Sequence, residues 1–298
     1  SNANGTATVT VNISDSGGTA NGGDDTSPNQ TFTITVTAVN DEPSFTKGSD
    51  ITVLEDSGTS TTTNWATSIS TGPSNESGQT PTFSVTNNDN SLFSGQPAIS
   101  SSGVLTFTPA SNANGSATAT ISLSDDGGTS NSGDDTYANQ TFTITLTAVN
   151  DEPSFTKGSN ITVLEDSGSS STSNWATSIS TGPSDESSQT PTFSVTNDSN
   201  SLFSSQPAIN SSGVLTFTPA SNANGSATVT VSVSDDGGTA VSGDDDTSPN
   251  QTFTITVTAV NDEPSFTTNN ITYLEDSGSN STSSWASNLS KGASNESS

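Results

Sequence analysis

The sequence contains no cysteine, histidine or methionine, and its only cations are Lys47, Lys157 and Lys291. Without thiol or imidazole there is no Ser-His-Asp arrangement, no thiolate nucleophile and no thiolate-type zinc site. The absence of cysteine removes any disulfide framework and leaves the redox compartment open. Three Lys+Arg stand against thirty-one Asp+Glu, a formal charge of −28. Nucleic acids and anionic membranes are bound through basic side chains, so neither is an expected partner. No apolar run reaches membrane-spanning length and no signal-peptide core is present, so this segment is not expected to insert into a membrane. What remains for metal chemistry is oxygen: carboxylates, asparagine amides and backbone carbonyls, which suit a hard cation such as Ca²⁺.

A hydrophobic content of 26% with this charge would by itself indicate disorder. Patterning and repetition indicate the opposite. The decapeptide TAVNDEPSFT occurs three times, at Thr37–Thr46, Thr147–Thr156 and Thr258–Thr267. Asn40 to Asn150 is 110 positions and Asn150 to Asn261 is 111, the extra residue falling where SGDDT becomes SGDDDT. A unit of that length is too long for a solenoid coil and fits one β-sandwich domain.

Within the unit, short alternating runs are separated by Gly, Pro, Asn and Ser clusters, the signature of an all-β domain. Seven strands are expected. Strand A includes Ile51 and Val53; B carries Trp65, Thr67 and Ile69; C has Phe83 and Val85; D is QPAIS; and E is VLTFT with Phe107 inward. In F, Ala117, Ala119, Ile121 and Leu123 alternate with Ser and Thr, as Phe142, Ile144 and Leu146 do in G. One apolar face and one hydroxyl face mark a half-buried antiparallel strand. Trp65, Trp175 and Trp285 are read as core residues, one per repeat. The glutamate before proline in VNDEP is held extended and the proline offers no N–H to a sheet, so VNDEP reads as a linker. The expected organisation is two complete repeats, 43–150 and 153–261. Residues 1–40 match strands F and G of an upstream repeat, and 264–298 match strands A and B of a downstream one. The fold class is tandem Ig-like, Greek-key β-sandwiches arranged end to end.

Seven antiparallel strands place alternate loops at opposite ends. The A–B turn LEDSG (Glu55, Asp56), the E–F turn SNANG (Asn112, Asn114) and the exit segment (Asn150, Asp151, Glu152) share one end. The B–C loop (Asp185, Glu186) and F–G loop (Asp235, Asp236) of the following repeat face that end. Several carboxylates gathered there repel by roughly 4 kcal/mol per pair at 4 Å and an effective dielectric near 20. A cation that tolerates loose geometry and six to eight oxygens answers that repulsion, which favours Ca²⁺ over Mg²⁺. An alternative is that the F–G stretch holds an ion internally, through Asp126 with Asp134 or Asp135.

VNDEP, followed by LEDSG and preceded by FTPASNANGSATATISLSDDGG, resembles the cadherin-like tandem repeats of large bacterial surface adhesins. The resemblance runs along the whole chain. It implies Ca²⁺ ligands from the A–B and E–F turns, the linker and the next repeat's B–C and F–G loops. Carried over by position, these are Glu55, Asn150, Asp151, Asp185 or Glu186, and Asp235 or Asp236. The wider candidate set adds Asn40, Asp41, Glu42, Asp56, Glu76, Asp125, Asp126 and Glu152. Downstream it includes Glu165, Asp166, Asn261, Asp262 and Glu263, with Glu296 as a further member. Two departures stand out. The linker Asn150-Asp151-Glu152-Pro153 is one residue shorter than the cadherin Asp-x-Asn-Asp-Asn-x-Pro and lacks its leading aspartate. The E–F turn offers Asn112 and Asn114 where cadherins use a glutamate. Fewer ions per junction than in a cadherin are expected.

Plainer readings stand beside these. DDGG is a turn signal in its own right, and outward threonines suit exposed strands by propensity alone. Glu55 and Asp56 are adjacent on an extended turn and point apart, so they do not form a glycosidase pair, and no enzymatic activity is expected. The expected function is a structural extender of a secreted or cell-surface adhesin, stiffened by Ca²⁺ between repeats, with neighbouring repeats as its partners. The alternative is a direct binding module for a cell-surface glycan or a like chain.

Overall fold

A computed structural model describes residues 2–240 and 245–293. The chain divides into two compact units, Ser1–Ala148 and Val149–Ser298. The first unit opens with a hairpin, β1 (Gly5–Val11) and β2 (Gln30–Val36), paired antiparallel.

A complete sandwich follows within the same unit. Its strands are β3 (Ser44–Thr46), β4 (Ile51–Leu54), β5 (Ser60–Thr62), β6 (Thr67–Ser70), β7 (Thr82–Asn87), β8 (Phe93–Ile99), β9 (Leu105–Pro109), β10 (Gly115–Ser124) and β11 (Thr136–Thr147). One sheet has the order β4-β11-β10-β7. The facing layer is β5-β9-β8 together with the β3-β6 pair. Strand β4 runs parallel to β11, Ile51 opposite Ile144 and Val53 opposite Leu146, whereas the other pairs are antiparallel. The inward-pointing set follows the two-residue period of a pleated strand. Leu105, Ala117, Ala119, Ile121, Leu123 and Ile144 are fully buried, while the alternate Ser and Thr positions face outward.

Two details differ from the expectation. Strand A is split: β3 pairs with β6 in one layer and β4 with β11 in the other. The chain changes layers at Gly48. A Cβ there would sit 2.6 Å from the Trp65 carbonyl oxygen and 2.7 Å from the indole ring, so only glycine passes. Trp65, assigned to strand B, lies in the turn between β5 and β6. Its indole N–H donates to the Ser49 carbonyl at 3.0 Å. The ring packs on Phe142 with centroids 4.4 Å apart. Meeting a carbonyl on one side and an aromatic on the other holds Trp65 across the layer change, and the strand breaks around it.

The second unit repeats this design: β12 (Ser154–Thr156), β13 (Ile161–Leu164), β14 (Ser170–Thr172), β15 (Thr177–Ser180), β16 (Thr192–Asn197), β17 (Phe203–Ile209), β18 (Leu215–Pro219), β19 (Gly225–Ser234) and β20 (Gln251–Thr258). The sheet orders are β13-β20-β19-β16 and β14-β18-β17. Trp175 again stacks on a phenylalanine, Phe253, at 4.3 Å. A last pair, β21 (Ser265–Thr268) and β22 (Ala286–Ser290), ends the described strands.

Trp175 is 3% exposed. Trp175→Ala should destabilise the second sandwich by about 3–5 kcal/mol, the usual cost of emptying a tryptophan-sized core site. In chemical denaturation one transition should move to lower denaturant while that of the first sandwich stays in place.

Candidate metal centre

The linker asparagine is anchored in the repeat that follows it. In the first unit, the Asn40 side chain donates to Asp125 Oδ1 at 2.9 Å and to the Asp134 carbonyl at 2.8 Å. Its Oδ1 accepts from Gln79 Nε2 at 2.6 Å, and its main-chain oxygen accepts from the Asp134 N–H at 3.0 Å. In the second unit Asn150 repeats the pattern. It donates to Asp235 Oδ1 at 3.1 Å and to the Asp245 carbonyl at 3.0 Å, and it accepts from Gln189 at 2.7 Å. The next residue is held as well: Asp151 N–H donates to Glu186 Oε1 at 2.8 Å, as Asp41 does to Glu76.

Glycines make room for this. A Cβ on Gly237 would lie 1.7 Å from Asn150 Oδ1, and one on Gly182 would lie 1.7 Å from Glu186 Oε2. Asp126 and Asp236 do a different job. They accept from the Thr80 and Thr190 N–H groups at 2.8 Å, tying the F–G loop to the B–C loop. The Asp134 side chain accepts from Thr136. The loop therefore brings Asp125, not Asp126, toward the linker.

Among the described residues, several oxygens at this end are buried with no hydrogen-bond donor: Asp125 Oδ2, Asp235 Oδ2 and Glu186 Oε2. Glu186 is 6% exposed. Burial pushes its carboxyl above the ordinary range, and the charges of Asp151, Asp185 and Asp235 push the same way, against the Asp151 N–H bond. A buried carboxylate oxygen lacking a donor is costly unless a cation or proton meets it.

The opposite end of each sandwich carries the other acids. Glu55 and Glu165 are each 1% exposed in the A–B turn, with N–H groups donated to the Thr147 and Thr258 carbonyls. Asp56 and Asp166 have left-handed backbones (φ 56° and 59°) and accept from the Asn112 and Asn222 N–H groups at 3.3 and 3.2 Å. The A–B turn is thereby fastened to the E–F turn. Asn114 adds a 3.4 Å contact to Glu55 Oε2.

The linker aspartate joins these acids. In the second unit, carboxylate oxygens of Glu165, Asp166 and Asp262 lie within 4.8 Å of one another, and Glu165 Oε1 accepts from the Val260 N–H at 2.8 Å. In the first unit, Asn2 of the SNANG turn donates to Asp41 Oδ2 at 3.1 Å. A pocket of about 230 Å³ there is bordered by Asn2, Asn4, Val36, Asp41 and Asn75. Three acids at these separations, one of them fully buried, suit a divalent cation with loose oxygen coordination. Unscreened by an ion, they repel.

Not every candidate is gathered. Glu42, Glu152 and Glu263 are exposed, and Asp185 is exposed beside Glu186. Asn261 is exposed too, its amide donating to the Asp262 carbonyl. Glu296 lies outside the described residues. Sequence reasoning passed over Gln79 and Gln189, the glycines at 127, 182 and 237, and the carbonyls of Asp134 and Asp245. The recurring QTPTF of both repeats was the available signal, since its glutamine has no role in a strand pattern.

No protein-family model and no curated protein matches the chain. Among solved structures, the chain is similar to human protocadherin-24 EC1-2, at 15% identity and a TM-score of 0.44, covering 73% of this chain and 99% of that one. It is also similar to the human desmocollin-1 ectodomain, at 16% identity and a TM-score of 0.39, covering 88% of this chain and 49% of that one. A further similar structure is human mucin-like protocadherin EC1-2, at 15% identity and a TM-score of 0.39, covering 73% and 98%.

The raised carboxyl of Glu186 has a measurable consequence. Its folded pKa lies above the unfolded value, so its contribution to stability is complete below the ordinary carboxylate range and is lost as pH rises through the raised value. In chelator, the second sandwich should therefore weaken as pH climbs from 4 to 7 more than its Glu186→Gln variant does. Urea midpoints across that range read the difference, and parallel profiles would show that Glu186 is not strained.

Proposed function

We propose that this region is a structural extender of a bacterial cell-surface adhesin, in which Ca²⁺ bound between successive repeats sets the angle from one to the next. The observation that carries this reading is the convergence of Glu165, Asp166 and the linker residue Asp262. Beside it stands the docking of the linker asparagine into the repeat that follows. One linker is thus fastened through Asn150 to the repeat that follows it, and another brings its Asp262 among the acids of the repeat before it.

Glu55 and Asp56 would contribute from the preceding A–B turn, Asp151 from the linker, and Glu186 and Asp235 from the following B–C and F–G loops. The ion supplies charge neutralisation and a shared coordination shell. The protein's residues supply the fixed positions: Gln189 and Gly237 hold Asn150, and Asn112 and Asn222 brace the acidic turns. The donor set fits, being all oxygen, multiply carboxylate and drawn from separate loops. We assign the region no catalytic role, an extracellular or surface location, and neighbouring repeats as its partners.

Isothermal titration of the full chain with Ca²⁺ tests this. Binding is expected in the range of extracellular modules, about 10⁻⁴–10⁻³ M or tighter. Asp151→Ala should remove the binding of one junction and leave that of the others. A titration without heat at pH 7, or one that Asp151→Ala leaves unchanged, would remove the linker from the site.

A further inference from the structure

We propose that Asn114 and Asn224 are spontaneous modification sites, converted by ring closure and hydrolysis to aspartyl residues, and that at Asn114 the reaction sets a new carboxylate against Glu55. Each complete repeat has one asparagine that precedes a glycine, and both stand at the same place, the end of the E–F turn SNANG. Asparagine is a thermolabile residue. A following glycine lets its main-chain nitrogen approach the asparagine side chain, because no Cβ intervenes. The glycines here are kept for their backbone and not by crowding. Gly115 and Gly225 have φ of 132° and 139°. A Cβ on Gly115 would come no closer than 3.7 Å to Leu92, and one on Gly225 would meet nothing within 4 Å. Both glycines and Asn224 are exposed and Asn114 is half-buried, so the reacting groups have room to close and water has access.

The reaction needs only water. The Gly115 main-chain nitrogen attacks Asn114 Cγ, and the bond from Cγ to the side-chain nitrogen breaks. Ammonia leaves, carrying the proton that the main-chain nitrogen gives up. Water then opens the succinimide ring at one carbonyl or the other. One opening leaves an aspartate, and the other an isoaspartate, whose main chain runs through the former side chain. Either product carries a negative charge that the gene does not encode. The Asn114 amide donates to Glu55 Oε2 at 3.4 Å, and Glu55 is 1% exposed. After conversion an oxygen stands where that donor stood, and two carboxylates face each other with little solvent to screen them. The same turn contains a control. Asn112 and Asn222 are exposed too, but each precedes an alanine, and their N–H groups are tied to Asp56 and Asp166 at 3.3 and 3.2 Å. Because the loss of ammonia is irreversible, the acid content of this end of the repeat rises with the age of the chain.

The test incubates the full chain in warm, mildly alkaline buffer with chelator and maps its peptides by mass spectrometry, reading aspartate and isoaspartate separately. Working in chelator keeps the outcome independent of the ion-binding reading. Asn114 and Asn224 should gain the mass by which an oxygen exceeds an NH group several-fold faster than Asn112 and Asn222, with isoaspartate among the products. Asn114→Gln should leave the mass of that peptide unchanged over the same time. Freshly prepared Asn114→Asp should show a urea transition of the first sandwich at lower denaturant than fresh wild type, with that of the second sandwich in place. Equal rates at Asn112 and Asn114, or conversion of Asn114 only in the urea-unfolded chain, would overturn the site. An Asn114→Asp transition that coincides with the wild-type one would overturn the placing of the new charge against Glu55.

Discussion

The structure depends on one side chain per repeat, the asparagine of VNDEP. An amide offers two donors and an acceptor, and Asn150 uses both kinds: its NH₂ meets Asp235 and the Asp245 carbonyl, and its oxygen meets Gln189. An aspartate could not donate to Asp235, and a larger residue would meet Gly237. The linker therefore belongs to the repeat it enters. Everything charged around it follows from that placement, because Asp151 is then held by Glu186 and cannot drift away from the neighbouring acids.

Holding acids together costs free energy, and the fold accepts that cost at the loop ends. The strands carry Ser and Thr outward and apolar residues inward, so the carboxylates are displaced to turns. Glu55 and Glu165 are buried there with partners, as buried carboxylates require: Glu55 meets the Asn114 amide and Glu165 accepts from the Val260 N–H. In ordinary domains the interface between neighbours is mobile unless it is large and apolar. In the proposed reading, a shared cation would supply directional, charge-dependent contacts in place of apolar area, and would stabilise the repeats by linkage, about 2.7 kcal/mol at a hundred times the dissociation constant.

Much of the sandwich was legible because a two-residue period leaves little freedom: Ala117, Ala119, Ile121 and Leu123 had only one side on which to be buried. The loops at each end also followed from counting antiparallel strands, which is why Glu55 could be placed beside the E–F turn from spacing alone. The split of strand A was not legible. It depends on Trp65 meeting the Ser49 carbonyl and on Gly48 passing over the ring, contacts between residues sixteen apart that no alternation encodes. Gln79 and Gln189 were missed for a related reason. Their partner is the linker, thirty-nine residues upstream, and a glutamine before Thr-Pro carries no periodic signal. Asp125 and Asp126 were indistinguishable as letters. The turn geometry separates them, one toward the linker and one toward Thr80.

The central claim is that cation binding, and not the protein alone, governs how successive repeats are arranged. Small-angle X-ray scattering of the full chain, with Ca²⁺ and with chelator at matched ionic strength, tests it most directly. The account predicts a longer maximum dimension and a narrower distribution of shapes when Ca²⁺ is present, with Asp151→Ala behaving as the chelated form does. Superimposable profiles in the two conditions would contradict it.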